Sequence, residues 1–136
     1  MAIAADADGI HIGQEDMDLT EVRKLVGENM IIGVSAHTVE EARSALKNSA
    51  DYIGIGAVFE TSTKNDVKAL SYETLKSICE AVNIPKVAIG GINAKNILKL
   101  KGSGIDGVAV VSAIFAAENI AKATRELFDL VKDVIE

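Results

Sequence analysis

The chain has 136 residues, of which 49% are apolar and 25% charged, and it contains one proline, one cysteine and no tryptophan. These figures predict one soluble globular domain that is large enough for a hydrophobic core. Acidic residues outnumber basic ones 20 to 14, and the net charge of −6 argues against a nucleic-acid partner. The sequence has neither an apolar run of about 20 residues nor a secretory leader, which predicts a cytoplasmic protein that does not insert into membranes.

Short β-branched runs alternate with helical patterns along the chain. Runs led by Ile10, Ile32, Ile53, Val87 and Val108 predict five strands at intervals of 22, 21, 34 and 21 residues. Apolar residues spaced by three and four predict helices around Leu19/Val22/Leu25, Val39/Ala42/Leu46, Tyr72/Leu75/Cys79/Val82, Ile97/Leu98 and Ile120/Ala123/Leu127/Leu130/Val134. Helix starts are predicted at capping boxes Asp18 to Glu21 and Thr38 to Glu41, and at Ser71 and Asn93. The single cysteine, Cys79, lies on an apolar helix face, which indicates core packing rather than nucleophilic chemistry.

The two faces of the strands decide between an open doubly wound sheet and a barrel. One face is predicted to be bulky throughout, with Ile10/Ile12, Ile32/Val34, Ile53/Ile55, Val87/Ile89 and Val108/Val110. The other face is small or polar, with His11/Gly13, Gly33/Ser35, Gly54/Gly56, Ala88/Gly90 and Ala109/Val111. A second helix layer packs poorly on such a face, whereas the narrowing interior of a barrel accommodates it. The pattern therefore favours a TIM (β/α)₈ barrel over a doubly wound α/β sheet.

The number of units is smaller than a complete barrel needs. A (β/α)₈ barrel has eight units and typically about 250 residues, and this sequence shows five. Residues 1–8 are interpreted as the end of a helix that leads into the first strand. We therefore expect residues 1–136 to form a single, partial TIM-barrel domain, truncated to its last five βα units. Its open sheet edges predict self-association, because the strand at 10–13 has no lysine or proline to prevent edge pairing.

Candidate functional residues follow the predicted strands, since barrel active sites lie at the carboxyl ends of the strands. Glu15 and Asp16 offer the hard oxygen ligands that Mg²⁺ takes when it also binds substrate phosphates, or they are two solvated acids before a helix. Thr61, Thr63 and Lys64 combine hydroxyls, amides and a cation suited to a phosphate or diphosphate, or they form a polar loop without a role.

Two further strand ends and two histidines complete the candidates. Gly90-Gly91 and Val111-Ser112 follow the strands that would be the seventh and eighth of a barrel, where backbone amides often bind phosphate; a tight turn is the alternative for the glycines. His11 and His37 are interpreted as hydrogen-bonded structural histidines rather than general bases. The sequence contains no Ser/His/Asp arrangement, no cysteine metal motif and no Gly-x-Gly-x-x-Gly fingerprint.

In chain order, these segments closely resemble the thiamine phosphate synthase family. The resemblance rests on residues 8–16 (DGIHIGQED), 33–37 (GVSAH), 52–56 (YIGIG), 58–64 (VFETSTK), 88–92 (AIGGI) and 107–113 (GVAVVSA), which extend over nearly the whole chain. It implies a (β/α)₈ barrel and a transferase of thiamine biosynthesis. The family joins 4-amino-2-methyl-5-pyrimidinylmethyl diphosphate to 4-methyl-5-(2-phosphoethyl)thiazole and releases diphosphate, with Mg²⁺ as cofactor.

The resemblance also implies roles for individual residues. Asp16 would be a Mg²⁺ ligand, and Ser35 and Lys64 would contact the pyrimidine diphosphate, with Lys64 as the catalytic residue. The thiazole phosphate would be held by Thr61, Thr63, Gly91, Val111 and Ser112. The chemistry needs charge neutralisation on the leaving diphosphate, so that a pyrimidinylmethyl cation can be captured by the thiazole nitrogen, and it needs no general base.

The family pattern also includes residues upstream of the first predicted strand: a glutamine and a lysine that bind the diphosphate, and an Asn-Asp pair that supplies a second Mg²⁺ ligand. This sequence has none of them, and we therefore expect the chain to be inactive alone. Two other functions remain compatible with the sequence. One is a thiazole tautomerase-like relative that shares the barrel and the thiazole phosphate site, and the other is a non-catalytic half-barrel that only binds phosphate.

Overall fold

The computed structural model describes residues 1–61 and 68–135. Its elements are β1 (Gly9–Ile12), α1 (Leu19–Val26), β2 (Ile31–Ala36), α2 (Val39–Lys47), β3 (Tyr52–Ile55), α3 (Tyr72–Ala81), β4 (Lys86–Ile89), a 3₁₀ helix (Ile97–Leu100), β5 (Gly107–Ala109), α4 (Ser112–Phe115) and α5 (Ile120–Ile135). The strands are parallel and lie in the order β1-β2-β3-β4-β5. A doubly wound sheet reverses its strand order at a switch point. The sequential order confirms the wall of a (β/α) barrel, and the five described strands form an open sheet.

One face of the sheet carries the helices and the core. Right-handed crossovers between neighbouring parallel strands place the helices on the same side. The core forms between that side of the sheet and the helices, and its fully buried side chains include Ile32, Ile53, Ile55, Leu75, Ile78 and Ile97. The opposite, concave face carries the polar and small residues that the alternation predicted for the first three strands and for β5. No helix in the described part of the chain is long and apolar enough to cross a membrane.

Strand β4 is oriented differently from the prediction. Gly54 pairs with Val87, and Ala88 pairs with Val108, so Val87 shares the concave face with Gly54 and Ala88 shares the core face. Ala88 is accordingly 0% exposed, whereas Ile89 is 43% exposed on the concave side. The predicted assignment of Val87 and Ile89 to the core face was therefore wrong, because the pairing register decides which face a β-branched residue occupies.

The helix starts agree with the predicted caps in three cases. Side-chain oxygens accept the amide hydrogens of the first turn: Asp18 from Thr20 at 2.9 Å, Thr38 from Glu41 at 3.1 Å and Ser71 from Thr74 at 3.1 Å. Asn93 Oδ1 also accepts from the amides of Lys95 and Asn96, but only the single 3₁₀ turn follows it. Residues 1–8 form hydrogen-bonded turns rather than the predicted helix end.

Two aspartates join neighbouring strands at the amino ends of the sheet. Asp51 Oδ2 accepts from the Ile32 amide at 2.8 Å, and Asp106 Oδ2 accepts from the Lys86 amide at 2.9 Å. Each aspartate directly precedes a strand and bonds to the strand before it. Arg23 adds a salt bridge to Asp51 at 2.9 Å. This end of the sheet is therefore occupied by groups that stabilise the fold.

Cys79 lies on the buried face of α3 and packs in the core, as the helical spacing predicted. Burial raises the pKa of its thiol to about 11, although the Lys86 ammonium partly opposes the shift. The thiolate is the reactive form of cysteine. This side chain therefore packs as a small apolar group rather than acting as a nucleophile.

Candidate active site

Five of the predicted site residues line one cavity at the carboxyl ends of β2 to β5. The cavity has a volume of about 350 Å³, and we call it the strand-end cavity. Its lining includes the predicted residues Ser35, Thr61, Gly91, Val111 and Ser112, which come from four different strand ends. His37 and the backbone of the glycine-rich loops complete much of the remaining wall. Thr63 and Lys64 lie outside the described residues.

The Gly90-Gly91 turn approaches the loop after β3 too closely for any side chain. Gly91 has a φ of +64°, and a Cβ placed there would lie 2.4 Å from the carbonyl oxygen of Glu60. A Cβ at Gly90, where φ is +106°, would lie 2.5 Å from the Cβ of Ala57. The Asn96 side-chain amide donates to the Gly91 carbonyl at 2.8 Å and holds the turn in place. Both glycines therefore take a backbone conformation and a close approach that a side chain would prevent, and they form one wall of the cavity.

The end of β5 contributes a short helix to the same cavity. Val111 precedes α4, provides no side-chain cap and is 66% exposed. Ser112 is the first residue of that helix, and it is exposed beside Val111. The backbone and hydroxyl groups at this strand end are therefore accessible from the cavity.

Asp16 is not part of the lining of the strand-end cavity. Its Oδ2 accepts from the Gly13 amide at 2.7 Å, and the residue lines a smaller, separate cavity together with Glu41. Since an ionised carboxylate has about four lone-pair sites, this hydrogen bond leaves acceptor capacity for a cation. Among the described residues, no group of three or more His, Cys, Asp or Glu side chains is placed to hold a metal ion. A single hard oxygen donor fits Mg²⁺, which keeps several waters and binds substrate phosphates.

A glutamine links the first two strand ends. The Gln14 side chain donates to the Ser35 carbonyl at 2.6 Å, which ties the loop after β1 to the end of β2. Asp16, the predicted Mg²⁺ ligand, and Ser35, one of the two predicted diphosphate contacts, are therefore connected through the loop from 13 to 16.

His11 and His37 are both hydrogen-bonded, as their interpretation required. On the concave face, His11 Nδ1 lies 2.9 Å from the Tyr52 hydroxyl and Nε2 lies 2.9 Å from the Ser35 hydroxyl. At the cavity wall, His37 Nδ1 lies 3.1 Å from a Glu41 carboxylate oxygen, which also accepts from the His37 amide at 2.7 Å. The contact between Tyr52 and His11 was not predicted, since 41 residues separate them.

The electrostatic environment of His11 favours its neutral form. Partial burial lowers the pKa of His11 below its usual value, and the negative charge of Asp16 opposes the shift without cancelling it. A neutral imidazole has one donor and one acceptor nitrogen. His11 therefore accepts a hydrogen bond on one side and donates one on the other.

The sequential parallel units and the polar strand ends around one cavity define a (β/α)-barrel protein with a candidate site at the carboxyl ends of its strands. Comparison with known families is more specific. The model of the family described as thiamine monophosphate synthase matches residues 1–114, and the chain belongs to this family.

Individual relatives agree with the family assignment. The chain is 54% identical over 127 residues to the thiamine-phosphate synthase of Clostridium tetani, covering 93% of this chain and 61% of the relative. It is 56% identical over 126 residues to that of Clostridioides difficile, covering 93% of this chain and 60% of the relative. The solved structure of thiamine phosphate pyrophosphorylase from Pyrococcus furiosus superposes with a TM-score of 0.89 at 44% identity, covering 99% of this chain and 64% of that one. The chain thus spans about three fifths of the length of the curated relatives it matches.

The same fold occurs in proteins of other activities. The structure of a 3-hexulose-6-phosphate synthase superposes with a TM-score of 0.73 at 18% identity, covering 95% of this chain and 64% of that one. At that identity the likeness shows the fold alone. The barrel assignment therefore has support from within and from outside the family.

Proposed function

We propose that this chain carries the thiazole phosphate site and part of the diphosphate site of a thiamine phosphate synthase. The enzyme would be a transferase that joins 4-amino-2-methyl-5-pyrimidinylmethyl diphosphate to 4-methyl-5-(2-phosphoethyl)thiazole and releases diphosphate. The observation that carries the proposal is the strand-end cavity, in which five residues predicted to contact substrate meet from four strand ends. Its volume of about 350 Å³ is in the range of small-molecule sites.

The thiazole phosphate is assigned to the wall formed by the ends of β3, β4 and β5. Thr61 and Ser112 have hydroxyl groups, and Gly91 and Val111 contribute backbone to the cavity lining. In the described part of the chain, no side-chain hydrogen bond caps the helix that begins after Val111. Hydroxyl and backbone N–H groups are donors that can bond to phosphate oxygens. Thr63 is assigned to the same phosphate by the family resemblance.

The pyrimidine diphosphate is assigned to the neighbouring wall. Ser35 contacts it from the end of β2, Lys64 is the catalytic cation, and Asp16 holds Mg²⁺. When bound, Mg²⁺ neutralises negative charge on the diphosphate oxygens. The C–O bond to the diphosphate breaks, the thiazole nitrogen supplies the electron pair for the new C–N bond, and Lys64 stabilises the negative charge that leaves. Positioning and electrostatic stabilisation therefore account for the rate without a general base.

The remaining expectations belong to the same proposal. Residues 1–136 form a single partial TIM-barrel domain, and the protein is cytoplasmic and binds phosphorylated small molecules rather than nucleic acid or membranes. Strands β1 and β5 each have a neighbour on one side only in the described sheet, and we propose that these edges associate with another chain.

One observation favours the tautomerase-like alternative. His37 lies at the cavity wall, and the Glu41 carboxylate orients its ring through Nδ1. A histidine oriented by a carboxylate can transfer protons, which a tautomerisation requires and the synthase reaction does not. A His37→Gln variant would abolish tautomerisation and leave thiazole phosphate binding largely intact.

Calorimetric titration of the thiazole phosphate into the chain tests the binding site directly. We expect saturable binding that is lost in Ser112→Asp, because the new carboxylate repels the phosphate. Ser77→Asp, an identical change at an exposed position of α3, is the control and should bind as the wild type does. Absence of wild-type binding, or equal binding by both variants, would refute the assignment.

A turnover assay with both substrates and Mg²⁺ then separates the functions. Formation of thiamine phosphate, by the chain alone or with the barrel completed by a relative's additional units, supports the synthase. Isomerisation of a thiazole phosphate without any coupling product indicates the tautomerase-like alternative. Binding with neither reaction in the completed barrel indicates a non-catalytic phosphate-binding protein.

A further inference from the structure

Three side chains from β1, β2 and β3 form a continuous hydrogen-bonded chain across the concave face. Tyr52 Oη lies 2.9 Å from His11 Nδ1, and His11 Nε2 lies 2.9 Å from Ser35 Oγ. The rings of Tyr52 and His11 are 5.5 Å apart between centroids. We call these three residues the Tyr-His-Ser relay. Its Ser35 end lies in the lining of the strand-end cavity.

Two glycines provide the space that the relay occupies. A Cβ at Gly33 would lie 2.0 Å from the ring of Tyr52, and a Cβ at Gly54 would lie 3.1 Å from that of His11. Alanine at Gly33 would therefore displace the tyrosine, and alanine at Gly54 would crowd the histidine. The small residues of this face thus make room for side chains of the protein as well as for a ligand.

The direction of the relay follows from the donors that each group offers. A tyrosine hydroxyl donates well, since its proton is more acidic than that of an aliphatic alcohol, and its phenolic oxygen is a weaker acceptor. The favoured arrangement has Tyr52 donating to His11 Nδ1, and His11 Nε2–H donating to Ser35 Oγ. In this arrangement the Ser35 oxygen is already an acceptor of the relay, and its own hydrogen is free to point elsewhere.

We propose that Tyr52 and His11 are positioning residues that hold the Ser35 hydroxyl as a hydrogen-bond donor toward the strand-end cavity, for an anionic oxygen of the substrate diphosphate. The identity of that anion rests on the proposed function, whereas the direction of the relay rests on the two hydrogen-bond distances and on the donor strength of the tyrosine hydroxyl. If the direction were reversed, Ser35 would donate to His11 and would present only lone pairs to the cavity. Those lone pairs would repel a diphosphate oxygen.

Nitrogen NMR of the two histidines tests the direction without any substrate. At a pH of about 8.5, well above the ordinary histidine pKa, long-range ¹H–¹⁵N correlation spectra distinguish the Nε2–H from the Nδ1–H tautomer. We expect Nε2–H for His11. His37 is the internal contrast, because its Nδ1 faces the acceptor Glu41 and should carry the hydrogen. An Nδ1–H tautomer at His11 would overturn the proposal.

Substitution of the tyrosine tests whether it sets the tautomer. Tyr52→Phe removes the donor, and we expect the His11 signals to shift toward a mixture of tautomers. Tyr72→Phe is the matched control, since it deletes the hydroxyl of the other tyrosine, which lies in α3 and donates to the Lys101 carbonyl at 2.8 Å. Unchanged His11 signals in folded Tyr52→Phe would overturn the positioning role of Tyr52.

Binding of inorganic diphosphate with Mg²⁺, measured by calorimetry, tests the consequence for the ligand. Ser35→Ala should weaken binding by about tenfold or more, as expected for one hydrogen bond to a charged group, and Tyr52→Phe should weaken it severalfold. The double variant should bind no more weakly than Ser35→Ala, because Tyr52 acts only through Ser35. His11→Gln, whose side-chain amide can donate in place of Nε2–H, should retain more affinity than His11→Ala.

The outcomes separate this proposal from the proposed function. If Tyr52→Phe binds diphosphate as tightly as the wild type while Ser35→Ala does not, the relay does not position Ser35. If the wild type does not bind diphosphate, the assigned ligand of Ser35 is wrong. The tautomer of His11 would still decide the direction of the relay in that case. Failure of thiazole phosphate binding alone would refute the proposed function on the other wall of the cavity and leave this result standing.

Discussion

Replacing Arg23 by methionine is expected to destabilise the chain by about 2–3 kcal/mol. The guanidinium donates to the carbonyls of Gly27, Met30 and Ser49 and to the carboxylate of Asp51 at distances of 2.7–3.2 Å, and the arginine side chain is only 12% exposed. A hydrogen bond involving a charged group contributes about 1.5–3 kcal/mol. The carbonyls lie near the surface and regain water in the variant, so roughly one such bond is lost in full. Methionine retains much of the apolar stem and limits the loss of packing.

Urea unfolding followed by circular dichroism measures this effect. With an m-value of about 2 kcal/mol/M, the midpoint should fall by about 1–1.5 M. Lys24→Met is the control, because it removes the same charge from the adjacent residue, whose pair with Glu21 is 73% and 59% exposed. Such exposed pairs contribute at most about 1 kcal/mol and often nothing measurable. Equal midpoints for Arg23→Met and Lys24→Met would refute the reasoning.

The same interaction predicts a pH dependence. Partial burial opposes ionisation of Asp51, but the Arg23 hydrogen bond and charge and the Ile32 amide outweigh it, so the pKa of the carboxyl lies below its ordinary value. A carboxyl whose folded-state pKa is lowered stabilises the fold above its unfolded pKa, near 3.9, and loses that contribution as the pH falls through the folded value. The stability difference between the wild type and Asp51→Asn should therefore be present at neutral pH and shrink below about pH 4. A difference that stays constant down to pH 2 would contradict the shift.

Three further predictions concern the site and the core. Asp16→Ala and Lys64→Ala, measured in a protein with a complete barrel, should lower turnover by orders of magnitude and leave the circular dichroism spectrum unchanged, since each supplies charge at the leaving diphosphate; near wild-type turnover would remove that residue from the site. Gly91→Ala should weaken thiazole phosphate binding in calorimetry, because the positive φ and the 2.4 Å approach to the Glu60 carbonyl oxygen force the turn to move; unchanged affinity would separate the turn from the ligand. Cys79 should react slowly with a thiol reagent at pH 8 and rapidly in urea, because its pKa of about 11 and its burial suppress the thiolate; equal rates would contradict the core assignment.

The βα units could be predicted because their signals are local. Short β-branched runs, helical spacing and the capping side chains of Asp18, Thr38 and Ser71 act within a few residues, and the structure contains the five strands and the three helices that these caps begin. The face of β4 could not be predicted in the same way. The alternation of Val87 and Ile89 with the small Ala88 does not say which of the two faces the bulky residues occupy. The pairing with β3, more than 30 residues earlier in the chain, places them on the concave face.

The site was predictable at the strand ends and less so across the concave face. Ser35, Gly91 and Ser112 follow their strands directly, and the barrel topology brings such positions together. The relay from Tyr52 to His11 depends on the register of three strands, which no local pattern encodes. Its only sequence signal is a pair of glycines, Gly33 and Gly54, on the face that also carries the two rings.

The aspartates at the amino ends of the strands have a consequence for how such a fold can grow. Asp51 and Asp106 occupy the same place in a recurring phrase, Asp-Tyr-Ile or Asp-Gly-Val, and each bonds to the backbone of the preceding strand. A unit with this sequence carries its own attachment to the unit before it, at the end of the sheet opposite to the strand-end cavity. Tandem duplication of such a unit would add a strand whose pairing register is already set by its aspartate. The loop at the carboxyl end of that strand could then vary in sequence without affecting this attachment.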